Sequence, residues 1–234
     1  MNHFLEKNKH LAFVAYAFLA IFFIANSTWA QSPGHWPAKP VRVIVSFPPG
    51  GVADQLARIV SQPLQEALGQ PVIVENRAGA GGNVGGDAVA KSAPDGYTLL
   101  MSSGGTVSIN PHLYTKMPFD ATKDIVPVGS VARVLVFLEV NPTKVPAGNV
   151  KEFLAHLKAN PGRLSFGTPG SGSSPHLAAE MFNSAAGIET LHVPYRGAAP
   201  ALVDLLAGQL DYMFDPGIGL GHVREGGVSS FSVQ

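Results

Sequence analysis

Hydrophobic positions fall in short runs separated by polar and glycine-rich breaks, and the spacing within the runs changes along the chain. Val41–Val45 is a short β-branched run, the pattern of a buried strand. Leu56, Ile59, Val60, Leu64, Ala67 and Leu68 then recur at helical spacing, and Gly69 marks a stop. Pro63 inside that helix predicts a kink. The runs "PVIVEN" (71–76) and "TLLMSS" (98–103) read as strands, with a short helix near 86–92 between them. In the second half, "VPVGSVARVLVFLEVNP" is extended, β-rich sequence. "NVKEFLAHLKANPG" is a helix with Asn149 as N-cap and Gly162 beyond its end. "RLSFGTPG" runs from strand into loop, and "SPHLAAEMFNSAAG" is a helix with Pro175 in its first turn. "ETLHVPY" is a strand, "APALVDLLAGQ" a helix and "LDYMFD" a strand. Strands alternating with helices predict an α/β fold with mostly parallel sheets.

The first thirty residues follow a different rule. A basic start is followed by an unbroken apolar run at 11–25 and then by "NSTWAQ", with Thr28 and Ala30 placed for cleavage after Ala30. The run falls short of the roughly 20 residues needed to span a bilayer. Residues 1–30 therefore read as a cleavable export signal, so the mature chain is expected outside the cytoplasm without a membrane anchor. The chain has 0 Cys, which rules out a lipid-bearing cysteine, disulfides and thiolate ligands. Removing Glu6, Lys7 and Lys9 from 16 acidic and 16 basic residues leaves 15 and 14, so no basic excess points to nucleic acid.

In sheets of this kind, ligands sit beyond the carboxyl ends of the strands. The sequences expected there are alike: "SFPPGG", "ENRAGAGGN", "SSGGTVS", "GTPGSGSSPH" and "PYRGAAP". Most are small, rich in Gly, Ser or Thr, and followed by a helix. A helix N-terminus presents unpaired N–H groups and partial positive charge, and glycine lets an anion approach them. The loops together suit a small anion. Each alone is equally read as turn chemistry. No phosphate-loop or G-x-G-x-x-G motif occurs, no zinc motif occurs, and no cofactor is called for. Ser171 or Ser173 with His176 would make a hydrolase site, but the G-x-S-x-G elbow is missing. Arg196 can clamp a carboxylate or pair with a neighbouring Asp; Asp54 can cap its own helix or accept a ligand amine; Asp215 ends a strand on the ligand side.

The order of these motifs is recognisable. "KPVRVIVSFPPGGVADQLAR", "GQPVIVENRAGAGGNVGGDAVAKSAPDGYTLLM", "VNPTKVPAGNVKEFLAHLKANPGRLSFGTPGSGSSPHLAAEMF" and "VPYRGAAPALVDLLAGQLDYMFD" resemble the substrate-binding proteins of tripartite tricarboxylate transporters, the Bug family. The resemblance covers Lys39 to about Arg224. It implies a two-domain, type II periplasmic-binding-protein-like α/β fold, with parallel and mixed sheets flanked by helices and a ligand cleft between the domains. The domains would span 38–138 and 139–225, with a divergent tail at 226–234. It further implies a small carboxylate ligand, the membrane subunits of a transporter as partners, and no enzymatic activity. The ligand residues it implies are Phe47, Pro48, Gly50, Gly51 and Asp54 after the first strand, and Ser102, Ser103 and Gly104 after the third. In the second domain they are Thr168, Gly170, Ser171, Gly172, Ser173 and His176, then Tyr195, Arg196, Gly197 and Asp215. After Arg224 the family pattern breaks: Gly221 stands where the family has proline, "GGVSSFS" replaces a basic, apolar strand, and the segment that closes the first domain is missing. The expectation is a truncated receptor with an incomplete first domain. The alternatives are an exported serine hydrolase, a ligand sensor for a signalling partner, and a non-functional remnant.

Overall fold

The computed structural model describes residues 35–231. The expected export signal at 1–30 lies outside them. Among the described residues, the compact unit that begins at Lys39 carries the strands and helices, and it contains two separate sheets.

The first sheet has three parallel strands in the order β2-β1-β3: β1 is Val41–Val45, β2 Val72–Asn76 and β3 Thr98–Met101. β1 is central and covered on both faces, so its residues form a continuous apolar run without strict alternation. Val43 and Val45 pack against Ala57 of α1 (Val52–Leu68). That helix continues through Pro63, which lies exposed, and ends at Gly69 in the left-handed conformation. A short 3₁₀ turn, Ala80–Gly82, leads into α2 (Asn83–Ala90) on the other face. Gly85 and Gly86 bring α2 close to Ser46 and Phe119; a side chain at either would collide with them. Residues 105–113, not anticipated from the pattern, are helical: a wide turn at Gly105–Ile109 followed by α3 (Asn110–Leu113).

The second sheet has five strands in the order β6-β5-β7-β4-β8. β5 (Ser165–Thr168) is flanked by parallel β6 (Leu191–Pro194) and β7 (Tyr212–Asp215). β4 (Phe137–Val140) runs antiparallel to β7 and to β8 (Ser229–Phe231). Period-two alternation divides the core between two faces. Tyr212 and Phe214 join Leu138, Phe153, Leu157 and Phe166 beneath α4 (Val150–Ala159) and α5 (Ser174–Ala186). Met213 faces the other way, with Ala201, Leu202 and Leu205 of α6 (Ala198–Leu206). Asn149 caps α4 by accepting the Glu152 amide at 3.0 Å, and Pro175 stands in the first turn of α5, both as the sequence predicts.

Two segments differ from expectation. β8 lies inside the stretch read as a tail at 226–234: Val228 and Phe231 are buried on opposite faces, and the serines between them pair with β4. A short helix, α7 (Leu220–Arg224), precedes it. Conversely, residues 126–136, whose composition predicts β structure, pair with no strand among the described residues. Val126 and Val128 there are 80% and 86% exposed. β-branched composition alone makes no strand where no partner edge lies alongside.

Candidate functional site

Both sheets place a topological switch point where loops converge. In the first, the chain leaves β1 for β2 on one side and β3 on the other; in the second, β5 has β6 and β7 on its two sides. Such points open a crevice at the carboxyl ends of the strands. A cavity of about 1020 Å³ lies there and continues along the apolar side of α1. From the first sheet it is lined by Phe47, Pro48, Gly51, Ser102, Ser103 and Gly104, and from the second by Pro169, Ser173, Ser174, Gly197, Ala198 and Pro216. Asp124 is the one charged residue lining it among the described residues.

Three helices begin at this wall. The first turns of α1 (Gly51, Val52, Ala53), α5 (Ser173, Ser174, Pro175) and α6 (Gly197, Ala198, Ala199) all border the cavity. α1 and α6 start at glycines and carry no side-chain cap, so their first amides keep their donor capacity. Ser103 adds a buried hydroxyl oxygen with no hydrogen-bond partner among the described residues. Each N-terminus carries roughly half a positive charge. Together they can hold an anion without a basic side chain.

Eight residues named from the sequence line the cavity: Phe47, Pro48, Gly51, Ser102, Ser103, Gly104, Ser173 and Gly197. Most of the others stand behind it and shape its loops. Asp54 is 3% exposed and accepts from the Gly50 amide at 2.9 Å, from Asn76 Nδ2 at 2.9 Å and from Arg58 Nε at 3.0 Å. Burial pushes its pKa up, but these bonds outweigh burial and hold it below the usual carboxylate value. Both its oxygens are thus committed within the first lobe. Ser102 is likewise engaged, with Ser46 Oγ at 2.6 Å and Thr106 Oγ1 at 2.7 Å.

In the second lobe, Ser173 Oγ donates to Gly170 O at 2.7 Å and accepts the His176 amide at 3.3 Å, so it is the α5 cap. His176 Nδ1 accepts the Gly172 amide at 3.3 Å. Its ring stacks on His192 with centroids 4.2 Å apart, and His192 Nε2 lies 2.6 Å from Thr168 Oγ1, which accepts the Gly170 amide at 3.3 Å. Burial, and then the neighbouring imidazole, push His192 down to about 4; burial also lowers His176, against the opposing pull of Glu180. Two neutral imidazoles therefore brace the 168–173 loop. His192 was missed from the sequence because it lies mid-strand, and only the fold carries it beneath the loop. Tyr195 donates to Asp204 Oδ2 at 2.6 Å, and burial with that carboxylate pushes it up to about 12. Arg196 is exposed and makes no ion pair among the described residues. Asp215 is fully buried, its Oδ2 accepting from the Gly217 and Gly219 amides at 2.6 and 2.9 Å.

The two lobes touch directly beside the cavity. Tyr114 Oη donates to Ser171 O at 3.2 Å. A Cβ on Gly105 would lie 2.5 Å from Gly172 O, and one on Gly172 would overlap Asn110 Oδ1. Neither Ser171 nor Ser173 bonds the His176 imidazole, which accepts a backbone amide instead, so the nucleophile–base pair of a serine hydrolase is not assembled.

The two α/β lobes thus gather backbone donors and hydroxyls around one cavity, the arrangement found in two-lobed binding folds. Residues 56–234 match the tripartite tricarboxylate transporter family receptor, and the chain belongs to that family. It is 42% identical over 216 residues to protein BugT of Bordetella pertussis, covering 90% of this chain and 66% of that one. Among solved structures, it superposes on the adipate-bound Rpa4515 of R. palustris with a TM-score of 0.81 at 33% identity, over 84% of this chain and 66% of that one. On MatC of Rhodopseudomonas palustris with bound malate the TM-score is 0.77 at 32% identity, over 83% and 66%. The chain spans 58–66% of the length of the first curated relatives it matches. The family is one of receptors, and the two-lobed periplasmic-binding-protein-like fold expected from the sequence is shared with these neighbours.

Proposed function

We propose that this protein captures a small carboxylated metabolite in the cavity between its two sheets, in the periplasm, and presents it to the membrane subunits of a tripartite tricarboxylate-type transporter. The observation that carries this reading is the convergence of three helix N-termini, two of them uncapped, on a cavity lined by no basic side chain. Backbone amides and hydroxyls suit a carboxylate, whose oxygens accept several hydrogen bonds at once. The adipate and malate bound by structural neighbours are of the same chemical class. The hydrogen bond from Tyr114 to Ser171 O joins the lobes beside the cavity and would help shield such a ligand from water. A thermal-shift screen of mono-, di- and tricarboxylic acids tests the reading. At least one acid should raise the melting temperature in a concentration-dependent way, as a ligand that favours the folded state must. A panel of acids with no effect would count against it.

A further inference from the structure

Beneath the cavity wall, Glu139 of β4 and Asp215 of β7 lie on the same face of adjacent strands and meet the same turn at Gly219. Both are 0% exposed. Neither Glu139 oxygen, nor Asp215 Oδ1, has a hydrogen-bond partner among the described residues. Asp215 Oδ2 takes the amides of Gly217 and Gly219, which stabilises charge on Asp215. The turn these amides belong to borders the cavity at Pro216. Glu139 packs under the same turn: a Cβ on Gly219 would overlap its carboxyl oxygens.

The surroundings offer no counter-charge. β8 places Ser230 opposite Glu139, and β7 places Met213 there. α7 carries His222 and Arg224, but His222 is turned to Glu225 at 3.4 Å. Two buried like charges side by side are far costlier than one charge and one neutral acid. Asp215 has the two amide donors, so the proton belongs on Glu139, whose O–H then donates to Asp215.

We propose that Glu139 is a positioning residue which holds one proton in common with Asp215 and thereby keeps the Pro216–Gly219 turn on the cavity wall. Alkaline pH would remove that proton, set two carboxylates against each other and release the turn. Burial, followed by the Asp215 charge, pushes Glu139 up from 4.5 to about 8. A raised folded value gives stability that is whole below 4.5 and is lost as pH rises through about 8. The consequence for ligand affinity rests on the carboxylate-receptor reading. The test uses no ligand, so failure of one leaves the other standing.

Amide hydrogen exchange of the whole chain, corrected for the intrinsic rate, reads the turn directly. Protection at Gly217 and Gly219 should fall with rising pH, by up to about tenfold per pH unit for a one-proton linkage, while protection at Gly187 stays level. Gly187 bonds only backbone carbonyls and serves as the internal reference. Glu139→Gln, which keeps a donor and cannot ionise, should abolish the slope. If that variant fails to fold, infrared spectroscopy of the unaltered protein near neutral pH decides the matter. A protonated-carboxyl band that fades in the alkaline range supports the proposal. A flat exchange profile at both glycines, or the absence of that band, overturns it.

Discussion

Gly172→Ala tests whether the second-lobe loop rests directly on the first lobe. Gly172 has φ +84°, a left-handed conformation that costs an L-residue roughly 1–2 kcal/mol. The new Cβ would also overlap Asn110 Oδ1. Asn110 cannot simply swing away: it is 0% exposed, and its Nδ2 donates to Gly81 O at 3.0 Å and to Asn83 Oδ1 at 2.7 Å. Giving up those bonds costs about 0.5–1.5 kcal/mol each. The total is about 2–5 kcal/mol. Gly162→Ala is the control, because Gly162 has φ +69° with nothing within 4 Å of its Cβ position and so carries the backbone cost alone. Urea unfolding followed by circular dichroism should show Gly172→Ala to be about 1–3 kcal/mol worse than Gly162→Ala. Adding Asn110→Ala should recover part of that excess, as contacting residues do in a double-mutant cycle. Equal losses at the two glycines, or no coupling to Asn110, would refute direct contact between the lobes at this loop.

Other outcomes follow from neighbouring groups. Ser173→Ala removes the α5 cap and the partner of Gly170 O, so it should cost about 1–2 kcal/mol in urea unfolding, and it should weaken binding of any acid that raises the melting temperature. Asn149→Ala removes an exposed cap of similar strength, about 1 kcal/mol, on α4, and should leave that binding unchanged. His192 is held neutral, so its contribution is whole above 6.5 and is lost as pH falls toward about 4. Melting temperatures of His192→Phe, which keeps the stack on Phe166, should therefore decline less steeply than the parent's across that window. An equally steep decline would place the acid sensitivity elsewhere.

Most strands and helices could be read from the sequence because their signals are local. The apolar run at Val41–Val45, the Asn149 cap and the Gly69 stop each act within a few residues. β8 escaped notice because its two buried residues face opposite cores with serines between them, which resembles no single-faced strand. The 126–136 stretch differs in the other direction, since composition says nothing about whether a partner edge is present. The anion-binding loops were visible as glycine, serine and threonine followed by helices. Which of them line the cavity depends on the two sheet orders, which bring α1, α5 and α6 to one place. Charged and aromatic residues drew attention as ligand contacts, yet Asp54, Tyr195 and Asp215 direct their polar groups to their own lobes. The side-chain partners of the first two, Asn76 and Asp204, lie 22 and 9 positions away and carry no signal of their own.

The most direct test is a calorimetric titration of the protein with adipate and, separately, with adipamide. The diamide has the same chain length and carries no charge. If helix N-termini and hydroxyls hold a carboxylate, any binding of the diacid should exceed that of its diamide by at least about tenfold, the equivalent of one charge-assisted hydrogen bond of about 1.5 kcal/mol. Equal affinity for acid and diamide, or binding of the diamide alone, would contradict a carboxylate receptor.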